Sequence, residues 1–290
     1  MIKTAGKKTI KKKTRHTVPG VIFGILKWAV IVFYLVLLIY PMLFVLSTSF
    51  KSYSEFVHNP FAVSFAHPEN YAHAWVEGKF GTYALNSVIV TALAIVGQVL
   101  FTAIGTFAIG RLRFKGSQII LFVLISTMFI SGEMMTVPMF VLITKLKLRK
   151  TLWALILPSM LSPASMGIFL GSNYITKVPG EIHEAAEIDG AGIFGRFLYI
   201  DLRMMTPIIA YTVITTFMAT WSDYFWPMIA IAGNKKAFTL SLGLVTFQTQ
   251  DGSKFGELCA ALVLLSAPIL LVYARFSRYF IDSMSLGAVK

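Results

Sequence analysis

Few residues in this chain could do chemistry, and their spacing limits what that chemistry is. Glu133 and Asp223 are ionisable groups inside otherwise apolar runs. Charge in hydrocarbon is costly, so such residues mark solute or ion paths by default. Asp223 lies within Trp221-Ser-Asp-Tyr-Phe-Trp-Pro227, where Trp221, Tyr224 and Trp226 offer flat faces for stacking. Acids beside aromatic rings suit sugars, which need apolar faces and hydrogen-bond partners. Each has a plainer reading: an interfacial aromatic belt for the Asp223 segment, and for Glu133 an outer-surface position at a break before Pro138. The five His show no metal-ligand spacing. The single Cys259 excludes an internal disulfide. No convergent His/Asp/Glu or Ser/Lys set sits at the end of an apolar run, as a membrane-embedded enzyme would require. No G-x-x-x-x-G-K-[ST] phosphate loop occurs. Energy for any driven work must come from a partner or an ion gradient.

A second group is the polar stretch from Val178 to Gly192, between two long apolar segments. It reads as a short helix with defined ends. Pro179 suits the first helical position, where its missing N–H is no loss. Glu181 and Glu184 fall in the early turns, where carboxylates favour the positive end of the helix dipole. Gly190 stands where a helix stop belongs. Ala185 and Ala186 leave a shallow face on which another protein could pack closely. Gly190, Gly192 and Gly195 also match G-x-G-x-x-G, but a helical pattern precedes them and an apolar run follows. The dinucleotide fingerprint needs a strand and a βαβ unit, so these glycines read as terminator, turn and close-packing residues.

The elements that position these residues are membrane spans. The chain has 290 residues, 56% hydrophobic and only 13% charged, with a mean hydropathy of +0.73. That is too apolar for a soluble domain. Six spans are expected, at about 28–50, 83–110, 117–143, 151–175, 206–231 and 258–276, each near the ~20 residues that cross a bilayer. The fold class is therefore all-α and polytopic, with the short helix between spans four and five. Residues 1–20 form a basic tail and 21–290 a single membrane domain.

Net charge is +13, dispersed among loops and ends as positive-inside topology requires, not as nucleic-acid binding would. Lys3, Lys7, Lys8, Lys11, Lys12, Lys13 and Arg15 precede the first span. Arg111, Arg113 and Lys115 follow the second, and Lys177, Arg196 and Arg203 follow the fourth. Arg275, Arg278 and Lys290 close the chain. These regions alternate correctly for one side, so both termini and the short helix are expected in the cytoplasm. Lys145, Lys147, Arg149 and Lys150 disagree, as do Lys235, Lys236 and Lys254 more thinly. The first apolar run is too long for a signal-peptide core and lacks a cleavage site, so it reads as an uncleaved span. The outer stretch 51–82 has room for a cap or interfacial helix. Met128, Met134, Met135 and Met139 read as gap-filling packing. Thr102, Thr106 and Gly110 have the small-xxx-small spacing of close helix contact.

The segment Glu184-Ala-Ala-x-x-Asp189-Gly190, followed by Ile200 and Pro207, resembles the EAA loop of bacterial ABC importer permeases. The whole chain is similar to the carbohydrate branch of that family, the maltose-type second permease subunit. Pro41 to Lys51, Asn86-Ser87, Arg111 to Gly116, Leu157-Pro158, Trp221 to Pro227 and the terminal Gly287-Ala288-Val289-Lys290 fit the same pattern in order. The family usually carries Pro where Arg203 stands here. The resemblance implies a bacterial inner-membrane pore shared with a homologous second permease. It implies an ATPase dimer carrying ATP and Mg, and an extracellular solute-binding protein that delivers a sugar. Glu184, Ala185, Ala186, Asp189 and Gly190 take the ATPase-coupling role by position. No cofactor or metal is expected on this chain, which is a transport subunit and not an enzyme. A stand-alone ion- or proton-coupled carrier is the alternative, and it would need more buried relays than Glu133 and Asp223.

Overall fold

The computed structural model describes residues 18–162, 164–248 and 253–288, with side chains from residue 24 to residue 275. The basic residues Lys3 to Arg15 and the terminal Val289 and Lys290 lie outside the described residues. All regular structure among the described residues is helical.

The apolar runs become helices because no water competes for their backbone groups, and a helix satisfies those groups internally. Helix α1 is Val18–Thr48. Two short helices follow, α2 (Tyr53–His58) and α3 (Glu69–Val76). They occupy the stretch that has room for a cap or interfacial helix. Helix α4 (Phe80–Thr106) runs on as a π-helical turn, Phe107–Leu112. Next come α5 (Ser117–Ser126), α6 (Gly132–Lys145), α7 (Trp153–Leu161) and α8 (Ser165–Ile175). The polar stretch forms α9 (Glu181–Ile188) and α10 (Ile193–Arg196). A second π turn, Phe197–Asp201, leads into α11 (Leu202–Met204). Helices α12 (Thr206–Trp221), α13 (Phe225–Ala230), α14 (Leu240–Gly243) and α15 (Phe255–Ala288) complete the chain.

Among the described residues, four helical stretches are long and apolar enough to cross a membrane: Gly24–Thr48, Phe80–Leu112, Trp153–Ile175 and Phe255–Arg275. Two bent pairs bring the number to six. Ser117–Phe129 meets Gly132–Lys145 at 101°, and Ile193–Met204 meets Thr206–Trp221 at 70°. The third span is thus not the single helix expected over 117–143. Ile130 and Ser131 are extended and turn the chain between its halves. The fifth ends at Trp221, well short of Ile231, because Ser222 to Tyr224 break the helix before α13. In place of the family's proline at Arg203, buried Met205 makes the turn into α12, with Pro207 in its first turn.

Helices α4 and α12 form the centre. They pack on each other, α4 also on α7 and α8, and α12 also on α15. Close approach of α4 and α8 depends on small residues. A Cβ on Gly167 would come within 2.7 Å of Thr102 Oγ1, and one on Gly110 within 2.9 Å of Ser172 Cα. Gly171 leaves the same kind of room for Thr106. The Thr102, Thr106, Gly110 stripe is therefore a real helix seam. Helix α1 exposes apolar side chains along most of its length, as a lipid-facing span does.

The discordant cations collect at one end. Lys150 N donates to the Ala230 carbonyl, and Asn234 Nδ2 donates to the Lys150 carbonyl at 2.7 Å. This brings the 145–150 loop beside Lys235 and Lys236, at the end that carries α3 and away from α9. Of the Met run, Met139 alone fills a core gap; Met128, Met134 and Met135 are exposed, which corrects the packing expectation.

Candidate functional site

Two regions carry the functional geometry. The first is α9. Its ends are made locally, but the start differs by two residues from the expected one. Gly180 occupies the N-cap and Pro179 precedes it, so Glu181 is the first helical residue. Glu181 and Glu184 lie in the first turn, as the dipole favours. At the other end Gly190 adopts φ +82°. Gly190 N donates to the Glu187 carbonyl and Ala191 N to the Ala186 carbonyl. This pair of bonds is a Schellman stop, and its left-handed residue is nearly free of strain only as glycine. Glu184, Ala185, Asp189 and Gly190 are exposed and Ala186 is half-buried. Ile188 is 87% exposed, and Phe194 on α10 is 79% exposed. The helix is acidic and small-sided, with bare apolar side chains beside it, the make-up of an interaction surface.

Beneath α9 lies a charged cluster that sequence reasoning missed. Asp201 is fully buried, 3.1 Å from His183 Nε2 and 3.4 Å from Arg111 Nε. Their only sequence signal was a histidine inside the polar stretch and an acid shortly after it.

The second region is an open cleft-like cavity of about 710 Å³. It lies where three helices are interrupted. The start of α6 contributes Gly132, Glu133 and Thr136; the break between α7 and α8 contributes Ser159, Ser162 and Ser165. Pro158 inside α7 frees the Ala154 carbonyl, and the end of α7 at Ser162 leaves further carbonyls without helical partners. Gln98 on α4 satisfies two of them, donating to Ser159 and Ser162 at 2.9 and 2.8 Å. Irregular backbone at membrane depth is tolerated where it lines such a cavity. The third wall is α12, whose residues Tyr211, Thr212, Thr215, Thr216, Ala219 and Thr220 recur at helical spacing on one face. This hydroxyl stripe also went unread, although its i, i+4 spacing is visible in the sequence.

The site candidates on the aromatic segment separate. Glu133, Asp223 and Trp226 line the cavity. Glu133 sits in the first turn of α6, where the helix dipole suits a carboxylate. Asp223 Oδ1 accepts from Trp226 N at 3.2 Å, and Trp226 Nε1 donates to the Ala154 carbonyl at 3.0 Å. Trp221 and Tyr224 do not line the cavity. Trp221 is buried in the α12–α15 core, stacked on Phe217. Tyr224 is exposed ahead of α13. Neighbouring residues on a helix or turn point in different directions, so a run of aromatics cannot all face one wall. Asn86 and Ser87 serve packing. Asn86 Nδ2 donates to the carbonyls of Lys236 and Phe238, and Ser87 Oγ accepts from Leu240 N.

Known proteins resemble this chain in sequence and in fold. Residues 102–286 match the family described as the binding-protein-dependent transport system inner membrane component. The probable ABC transporter permease protein YurM of Bacillus subtilis is 33% identical over 264 residues, covering 91% of this chain and 87% of that protein. The arabinooligosaccharides transport system permease protein AraQ of Halalkalibacterium halodurans is 30% identical, covering 87% and 91%. The diacetylchitobiose uptake system permease protein NgcG of Streptomyces coelicolor is 31% identical, covering 92% and 89%. A chain in the crystal structure of a bacterial ABC transporter that imports the acidic polysaccharide alginate shares the fold. Its TM-score is 0.79 at 20% identity, covering 92% of this chain and 99% of that one. The chain belongs to the inner-membrane component family of binding-protein-dependent transport systems, as a permease subunit of an ABC transporter.

Proposed function

We propose that this permease forms half of the path by which an ABC importer moves a carbohydrate, an oligosaccharide or modified sugar, across the inner membrane. The observation that carries this reading is the cavity wall. It offers a stripe of hydroxyls, the carboxylates of Glu133 and Asp223, and the rings of Tyr211 and Trp226. Hydroxyls and carboxylates exchange hydrogen bonds with sugar hydroxyls, and rings pack against the apolar sugar face. Relatives named for arabinooligosaccharide and diacetylchitobiose transport support the same class. A homologous second permease would close the open side. A binding protein outside would deliver the sugar to the end bearing α3.

Coupling falls to α9. Glu184, Ala185, Ala186, Asp189 and Gly190 would seat in a separate ATPase dimer that carries ATP and Mg. The α9 end would then be cytoplasmic, with both termini. Alternating access needs two states of one pore, and a helix docked in a moving ATPase biases between them. Family membership replaces the stand-alone carrier weighed from the sequence.

The test is purification of the tagged chain from its native membrane in mild detergent. Recovery of a second permease and an ATPase, with uptake of a labelled oligosaccharide restored in proteoliposomes once the binding protein is added, is the expected result. A chain recovered alone, or ATP hydrolysis by this chain free of any ATPase, would overturn the reading.

A further inference from the structure

Asp201 joins three segments far apart in sequence. Arg111 comes from the π turn that ends the second span, and Asp201 ends the π turn that follows α10. His183 is the buried residue of α9. The two π turns also touch through Phe107 and Phe197, whose ring centroids are 5.0 Å apart. Such turns are rare and gather at functional sites. Gly110, beside Arg111, allows the same point to pack on Ser172 and Ile175 of α8. The ends of spans two and four and the entry to span five thus meet under α9.

The choice of a charge here needs a reason. An apolar trio would pack without desolvation, so stability alone does not account for a buried ion pair, and a fixed geometry is the role that fits it here. Asp201 Oδ2, Arg111 Nη2 and His183 Nε2 have no hydrogen-bond partner and almost no solvent exposure, so His183 meets Asp201 Oδ1 as a close charge contact. Pulling Asp201 away from Arg111 or His183 would leave a buried charge uncompensated. The cluster therefore resists separation, while the outer face of α9 is bare. We propose that Asp201 is a positioning residue that locks α9 to the end of the second span, so that both move as one body. This rests on the docking role of α9 proposed above. Force from an ATPase on α9 then passes through His183 to Asp201 and Arg111, and so into the helices that wall the cavity.

Spin labels on Ile188→Cys and Leu112→Cys, both exposed positions, in a Cys259→Ala background, test this in the assembled transporter. The parent is expected to show one narrow distance, the same without nucleotide and with ATP trapped. Asp201→Asn should broaden it and, in the chain without labels, lower uptake about tenfold with the ATPase still bound; Asp201→Glu should restore both in part. His183→Ala, which leaves the Arg111–Asp201 pair intact, should broaden the distance if Asp201→Asn fails to accumulate. A parental distance that changes on ATP binding would overturn the proposal. So would an unchanged distance and parental uptake in the variants. Docking is read separately, from the mobility of the label at position 188 when the ATPase is added. Mobility unchanged by ATPase would withdraw the docking role and with it the coupling, whatever the distance shows.

Discussion

Trp221 Nε1 donates a 3.0 Å hydrogen bond to the Leu265 carbonyl, tying the end of α12 to the last span. The ring is stacked on Phe217 at 5.3 Å and belongs to a cluster with Phe80, Tyr83 and Phe247. Its work is packing, not solute contact. Trp221→Ala should cost about 3–5 kcal/mol, the range for buried aromatic truncation. Thermal unfolding of the purified chain in detergent measures this. Uptake per folded molecule should keep the parental half-saturation; a changed half-saturation with parental melting would return Trp221 to the solute path.

Asp223 does two things that one substitution can separate. Its side chain accepts from Trp226 N ahead of α13, and it also lines the cavity. Asp223→Asn keeps an acceptor for the cap but removes the charge. The expected outcome is normal accumulation in the membrane and initial uptake about tenfold slower, as loss of a charged hydrogen bond implies. Glu133→Gln should behave alike. Parental uptake kinetics in both variants would assign these acids to local capping alone.

Gly190 is tested by its backbone. At φ +82° a side chain is strained by about 1–2 kcal/mol, and proline cannot adopt that angle at all. Gly190→Pro should leave the chain in the membrane and abolish uptake. Gly190→Asn should retain most of it, since asparagine tolerates the left-handed region. Glu184→Lys, which puts a cation at the positive end of α9, should also stop uptake. Normal transport by Gly190→Pro and Glu184→Lys would remove the docking role.

The seam between α4 and α8 predicts a steric pair. Gly167→Val would drive its side chain into Thr102, which is fully buried. Overpacking of this kind costs about 1–3 kcal/mol, read as lower melting and lower yield. Adding Thr102→Ala should recover part of the loss. If the double variant is no better than the single one, the contact at this seam is not what limits packing.

What was legible in the sequence was local. The start and stop of α9 are written within a dozen positions, by Glu181, Glu184 and Gly190, because dipole and left-handed backbone preferences act over single turns. The apolar runs announced the spans, since a bilayer admits little else. Even so, Pro179 misled by two residues, because a proline fits before a cap as well as after it.

What only the tertiary structure decided was everything that depends on a remote partner. The break at Ser162 is held by Gln98, 64 positions earlier, and no local pattern says that those carbonyls will be met. Asp201 is stable in the interior because Arg111 arrives from 90 positions away; alone, it reads as one more loop acid. Trp221 and Trp226 bracket the same Ser-Asp-Tyr-Phe run, and one faces the core while the other lines the cavity. Helix periodicity sets the angle between two such side chains, but only packing against Leu265 and Ala154 sets which of them turns inward.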